Sequence, residues 1–320
     1  MILDVLMTIL GAVLVLVGAD KLTDGSVGLA RHYQIPELVI GLTIVALGTS
    51  LPEFVVSLLA SINHAPAMSV GNIVGSNLFN TLMIVGCSAL MCPIVVSKST
   101  VRKDIPFSVL ASIVLPVMAL DSLFGHSDGG NMLSRFDGII LLVFFLLFMA
   151  YTFSIAKGHG NDNTDESSAP LMSGWKIVVH LLLGLAGLII GGELFVNGAT
   201  GIARYLGVSE AVIGLTLVAG GTSLPELATS VIAARKGQSA MVIGNVVGSN
   251  LFNVFWILGC CACITPLPLE GIAWTDFAVL LVANILFWIF TRTSHRVVRV
   301  EGALLVAFYV GYIVWLIYQL

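Results

Sequence analysis

A segment of 44 residues occurs twice in this chain, and no other feature restricts the possible folds so strongly. At an offset of about 173 residues, Glu37–Asn80 aligns with Glu210–Asn253, and about 27 of the 44 positions are identical. Gly28-Leu29-Ala30-Arg31 is likewise echoed by Gly201-Ile202-Ala203-Arg204. The strongest blocks are Gly48-Thr49-Ser50-Leu51-Pro52-Glu53 with Gly221-Thr222-Ser223-Leu224-Pro225-Glu226, and Gly71–Asn80 with Gly244–Asn253. Such a repeat means that the chain is two copies of one supersecondary unit.

Each copy is dominated by long apolar runs. Hydrophobic residues make up 58% of the 320 positions and charged residues 10%, against about 25% charged in an ordinary soluble domain. Ten runs reach membrane-spanning length, at 2–19, 37–62, 68–92, 105–123, 136–156, 176–199, 210–234, 240–262, 273–291 and 301–319. The sequence therefore predicts an all-α membrane protein with ten transmembrane helices. Ten helices leave no room for a soluble domain, which excludes a soluble enzyme. With a net charge of −4 and no long run of Lys or Arg, nothing points to a nucleic-acid surface; the lipid bilayer is the expected surroundings.

Five spans per copy is an odd number, so the second copy must cross the membrane in the opposite sense to the first. This divides the chain into a first repeat at 1–156, a linker loop at 157–175 rich in Gly, Asn, Asp, Ser and Pro, and a second, inverted repeat at 176–320. Loops after odd-numbered spans hold about twelve Lys and Arg and those after even-numbered spans only Arg135 and Arg204. Positive loops stay in the cytoplasm, so both termini are expected outside. The first run lacks a basic flank and a small-residue cleavage pattern and reads as a retained span. Cys87, Cys92, Cys260, Cys261 and Cys263 lack zinc-type spacing and read as packing residues.

The repeated polar residues gather at one depth. Glu53 precedes the outer loop near Asn63 by about nine residues and Ser76 follows it by about eight, which at about 1.5 Å per residue puts both near the middle of the core. Glu226 and Ser249 reach the same depth from the opposite face. Thr49, Ser50 and Glu53 share a helix face, while Asn72, Ser76 and Asn80 form an i, i+4, i+8 stripe. The meeting point is rich in oxygen: two carboxylates, Ser and Thr hydroxyls and Asn carbonyls. Hard cations prefer such ligands, and two ionised Glu side chains would neutralise Ca²⁺. Pro52 and Pro225 have no N–H to offer the carbonyls of Gly48 and Gly221, which frees backbone oxygens for Na⁺ or Ca²⁺. Gly71 with Gly75 and Gly244 with Gly248 have the spacing that lets helices approach closely.

Other polar positions admit structural readings. Asn72, Asn77, Asn245 and Asn250 suit either the site or helix bracing. Glu37 and Glu210 open helices and complement their dipoles. Asp20 and Glu193 sit at expected span ends, and the six histidines, His180 among them, show no paired spacing.

With the blocks around Glu53, Glu226, Gly71–Asn80 and Gly244–Asn253, the sequence resembles the cation/calcium antiporter superfamily, in its sodium/calcium exchanger branch and compact prokaryotic form. The resemblance implies ten helices in a cell (inner) membrane, an outward N-terminus and one midplane site exposed alternately to each side. It implies that Ca²⁺ is held chiefly by Glu53 and Glu226 with backbone oxygens near Thr49 and Thr222. Sodium would use Ser50, Ser76, Ser223 and Ser249 with the same glutamates, and Asn80 and Asn253 would complete the ring. These ions are cargo, commonly three Na⁺ for one Ca²⁺, and no cofactor is implied. Some relatives, potassium-dependent ones included, carry Asp where this chain has Asn253. The linker is also too short for the calcium-sensing domains of larger animal exchangers. A proton/calcium antiporter and a passive cation channel are the competing readings. An intramembrane hydrolase would need a base beside Ser50 or Ser223 that the pattern does not supply.

Overall fold

The computed structural model describes residues 1–63, 66–120, 131–158, 172–207, 219–269 and 272–319. The helices are α1 (Ile2–Tyr33), α2 (Glu37–Thr49), α3 (Leu51–Ile62), α4 (66–91), α5 (Asp104–Ala119), α6 (Arg135–Gly158), α7 (Gly174–Tyr205), α8 (Leu224–Arg235), α9 (Ser239–Ile264), α10 (Trp274–Ser294) and α11 (Arg299–Gln319). Among the described residues, seven helices are long and apolar enough to cross a membrane, and α2 with α3 forms one further candidate bent by 47°. The linker at 159–171, Glu210 and the rest of 208–218 lie outside the described residues, as do the last positions of the expected span 105–123.

The bend between α2 and α3 follows from its sequence. Pro52 falls in the first turn of α3, where a missing N–H costs nothing, but it cannot continue a helix arriving from α2. The chain turns at Ser50, with φ −84° and ψ 6°, and its repeat mate Ser223 adopts φ −90° and ψ 8° before α8. Glu53 and Glu226 thereby stand in the first turn of their helices, where the N-terminal dipole favours negative charge.

The helices sort by composition into a centre and a periphery. Buried residues make up 78% of the apolar windows of α4 and α9, but only 17% in α6 and 11% in α11, whose large apolar side chains face outward as lipid would require. The buried polar side chains of α3, α4, α8 and α9 are concentrated where these four helices meet. Short antiparallel ladders pair Ile94–Val95 with Arg296–Val297 and Met132–Leu133 with Leu267–Pro268, each joining one repeat to the other at a helix end.

The two longest helices, α1 and α7, contain 32 residues each and outrun the spans 2–19 and 176–199 expected from sequence. Asp20, Lys21 and Asp24 do not end α1, because a run of charge lacks the geometry of a stop. The helix ends only at Gln34, in the left-handed conformation (φ 54°), just before Pro36. For the same reason Glu193 lies within α7, not at its end. Gly11, Gly18 and Gly25 of α1 face α7 in antiparallel packing, and their repeat mates Gly184, Gly191 and Gly198 face α1. A Cβ on Gly184 would lie 2.5 Å from the Leu22 nitrogen, and one on Gly191 would lie 2.8 Å from the Val15 nitrogen. The two backbones touch, and only glycine permits it.

Gly244 and Gly248 make the same kind of contact with α2, where a Cβ on Gly248 would stand 2.9 Å from the Leu42 Cα. The repeat mate of that α2 surface falls largely outside the described residues, and with it the expected close approach at Gly71 and Gly75. Lys236, just past α8, ties the core to α1 with its Nζ 2.6 Å from Asp20 Oδ1 and 2.7 Å from Asp24 Oδ1. Burial works against this ammonium, but hydrogen bonds to both aspartates and their charge outweigh it and leave its pKa above the ordinary lysine value. All five cysteines are free thiols.

Candidate cation site

The two bends bring the repeats into direct contact. Ser50 Oγ donates to Glu226 Oε1 at 3.0 Å, and Ser223 Oγ donates to Glu53 Oε1 at 2.8 Å. Each serine thus holds the carboxylate of the other repeat. Both glutamates are 1% exposed, and a carboxylate so placed in a membrane protein is costly unless it serves a charge.

One turn deeper, the asparagines divide into braces and ring members. Asn72 Nδ2 donates to Ser57 Oγ at 3.0 Å and to the Glu53 carbonyl at 3.4 Å, fastening α4 to α3. Asn245 Nδ2 repeats the arrangement on Ser230 Oγ at 2.9 Å and the Glu226 carbonyl at 3.5 Å. These two are braces. Thr49 belongs with them, since its hydroxyl donates to Asn245 Oδ1 at 3.3 Å. Asn77 and Asn250 join the repeats: Asn77 Nδ2 reaches the Asn250 carbonyl at 3.2 Å, and Asn80 Nδ2 reaches Asn250 Oδ1 at 3.1 Å. Asn253 Nδ2 donates to Asn77 Oδ1 at 3.0 Å.

What these bonds leave over is a symmetric set of oxygens. Glu53 Oε2, Glu226 Oε2, Ser76 Oγ, Ser249 Oγ, Asn80 Oδ1 and Asn253 Oδ1 are all buried and have no hydrogen-bond partner among the described residues. They form three repeat-related pairs. Buried polar atoms are normally satisfied, so paired exceptions on two carboxylates, two hydroxyls and two amides mark a place for a ligand that accepts oxygen on every side. Asn80 and Asn253 each lie in a π-helical stretch, Phe79–Ile84 and Phe252–Leu258. Such widened turns are rare and recur at functional sites.

Thr222 is half-buried at the turn before α8. Sequence reasoning missed Ser57 and Ser230, although their identity in the two copies was a usable signal, and it missed Thr81, Ser108 and Asn284, which bond to one another or to Asn250.

Residues 3–154 and 176–318 match the family described as sodium/calcium exchanger protein. The chain belongs to the sodium/calcium exchanger family. Members of this family are transporters. The exchanger is 39% identical to the inner membrane protein YrbG of Escherichia coli K12, over 99% of this chain and 96% of YrbG. It is 32% identical to the sodium/calcium exchanger MaX1 of Methanosarcina acetivorans, over 98% of each. Among solved structures, the sodium-calcium exchanger NCX_Mj superposes with a TM-score of 0.83 at 37% identity, covering 98% of both chains. The exchanger is therefore an all-helical, multi-pass membrane protein of the same fold.

Proposed function

We propose that this chain exchanges Na⁺ for Ca²⁺ across the membrane by alternating access, with both ions using the oxygens between the two repeats. The observation that carries the reading is the set of three repeat-related pairs of buried, unpartnered oxygens on Glu53, Glu226, Ser76, Ser249, Asn80 and Asn253. Ca²⁺ takes about six to eight oxygen ligands, and two ionised carboxylates balance its charge where water is scarce. Ser50 and Ser223 keep lone pairs for a cation while they hold the opposite glutamate, and backbone oxygens near Thr49 and Thr222 complete the supply. Because the same carboxylates must neutralise either Ca²⁺ or Na⁺, the two cargoes compete, and competition for one site is the basis of obligatory exchange.

In this reading the chain crosses a cell inner membrane ten times, as repeats 1–156 and 176–320 of opposite orientation joined by the linker at 157–175. Broken helices at the midplane of inverted repeats are the usual seat of such a site. Both termini lie outside, which the charge imbalance of the loops supports. A cysteine at Asn63 should then react with an impermeant reagent from outside and one at Ser99 should not; the reverse pattern would invert the orientation.

The test is ⁴⁵Ca²⁺ uptake into proteoliposomes. Uptake against the calcium gradient is expected only when Na⁺ is loaded on the opposite side. Uptake driven by a proton gradient alone would make the protein a proton/calcium antiporter, and flux that never runs uphill would make it a channel.

A further inference from the structure

The ring at the centre is symmetric in its residues but not in what orients them. Asn284 on α10 is 2% exposed, and its Nδ2 donates to the Leu280 carbonyl at 3.0 Å. That bond fixes the amide, so Asn284 Oδ1 can only accept. It does so from Ser108 Oγ of α5 at 2.7 Å. Having spent its proton, Ser108 can only accept from Asn250, whose Nδ2 lies 3.4 Å away and also reaches Thr81 Oγ1 at 2.9 Å. Asn250 must then present Oδ1 to Asn80, Asn80 must donate Nδ2, and the Asn80 carbonyl oxygen is left turned toward the ring. The proton directions run without choice from a main-chain carbonyl on α10 to an oxygen at the site.

The other half reaches the same end by a shorter route. Asn253 donates to Asn77, and Asn77 donates directly to the main-chain carbonyl of Asn250. Thr81 corresponds to Val254 at the repeat offset of 173. In α5 and α10 the register is set by Asp104 and Asp276, which accept hydrogen bonds from Tyr151 and Tyr312. There Ser108 corresponds to Leu280 and Asn284 to Ser112, whose hydroxyl donates to the Val109 carbonyl of its own helix, so the relay is interrupted in the second copy. We infer that Ser108 and Asn284 are positioning residues for cation binding. They hold the carbonyl of Asn80 toward the cation through Asn250, and they do so for one half of the site only. The inference rests on the cation ring of the proposed function and adds residues outside the duplicated motifs. When the relay is cut, Asn250 is free to rotate its amide, Asn80 can follow, and an NH₂ group replaces an oxygen facing a positive ion.

The experiment is a set of double-mutant cycles read as half-saturating Na⁺ and Ca²⁺ concentrations and maximal exchange rates in proteoliposomes. Ser108→Ala and Asn284→Ala should each raise the half-saturating concentration of at least one ion roughly threefold to tenfold, the scale of one hydrogen bond to a ligand. Maximal rates should be largely kept, and Ser108→Thr, which retains the hydroxyl, should behave as wild type. Ser108→Ala should add nothing in an Asn80→Ala background and should keep its full effect beside Asn253→Ala. If Ser108→Ala does not fold, Ser108→Cys keeps the volume, weakens the bond and should show the same pattern in smaller degree. Equal effects in the Asn80→Ala and Asn253→Ala backgrounds, or no shift from either relay variant while Asn80→Ala shifts affinity, would overturn the inference alone. No shift from Asn80→Ala itself would remove Asn80 from the ring and take the relay with it.

Discussion

At the centre of the molecule, Ser50, Ser223, Asn77 and Asn80 reach across to the other repeat through side-chain hydrogen bonds of 2.8–3.2 Å. At the α1–α7 pair, the same two repeats meet with no side chain between them at Gly18 and Gly184. Both contacts are products of one duplication, yet they have opposite physics. Among helices surrounded by lipid, polar side chains and close backbone packing are the two means of association, and this chain uses each in a different place. The polar contacts are directional and hold oxygens at fixed points, as a binding site requires. The glycine contact sets backbone against backbone and brings α1 and α7 closer than larger side chains would allow. Lys236 with Asp20 and Asp24 supplies a polar tie at one end. At the equivalent positions of the other repeat stand Asn63, Glu193 and Asn197, which lack the cation.

This contrast can be broken most sharply at the carboxylates. Glu53→Gln and Glu226→Gln should each reduce exchange by about two orders of magnitude or more in protein that still folds, because a buried charge loses its counterpart. Substantial calcium transport by both variants would show that the centre is merely polar packing. On the other side of the comparison, Gly18→Leu or Gly191→Leu should destabilise the protein by about 1–3 kcal/mol or more, since the new side chain meets backbone. Thermal unfolding in detergent measures this, with Gly311→Leu as a control at a position facing open space among the described residues. Similar midpoints for all three would mean that α1 and α7 are not in backbone contact. Lys236→Gln should have a smaller effect, within about 1 kcal/mol and shrinking as salt is added, as expected for an exposed ion pair. The smallest effect concerns potassium. Asn253 offers an oxygen but no charge, so replacing K⁺ with choline at a clamped potential should leave sodium-driven calcium uptake unchanged; a collapse of uptake would show that a neutral residue here does not decide potassium coupling.

The centre was legible in the sequence because duplication is a signal independent of chemistry. Glu53, Ser50, Ser76 and Asn80 recur in register as Glu226, Ser223, Ser249 and Asn253, and a membrane-embedded carboxylate that occurs twice has few structural explanations. The division of labour among the asparagines was not legible. Asn72 and Asn80 share one stripe of α4, and only the positions of Ser57 and Asn250 show that the first is a brace and the second a ring member. Ser108 and Asn284 were hidden for the converse reason, since both lie outside the duplicated segment and Ser108 has an apolar repeat mate, Leu280. The reach of α1 and α7 was underestimated because Asp20 and Lys21 look like a membrane boundary. A helix ends for geometric reasons, however, and here those are Gln34 and Pro36. Their glycines were visible at seven-residue spacing in both copies, but the pattern acquires meaning only when the two helices are seen face to face.

The central claim is that the unpartnered oxygens of the two repeats surround the transported cation. Anomalous diffraction from crystals equilibrated with Ca²⁺ or Sr²⁺ tests it most directly. The account predicts one dominant peak between Glu53 and Glu226, within about 2.3–2.6 Å of an oxygen from each for Ca²⁺, that fades as Na⁺ is raised and is lost in Glu53→Gln. A dominant peak elsewhere, or one between the glutamates that ignores Na⁺, would contradict it.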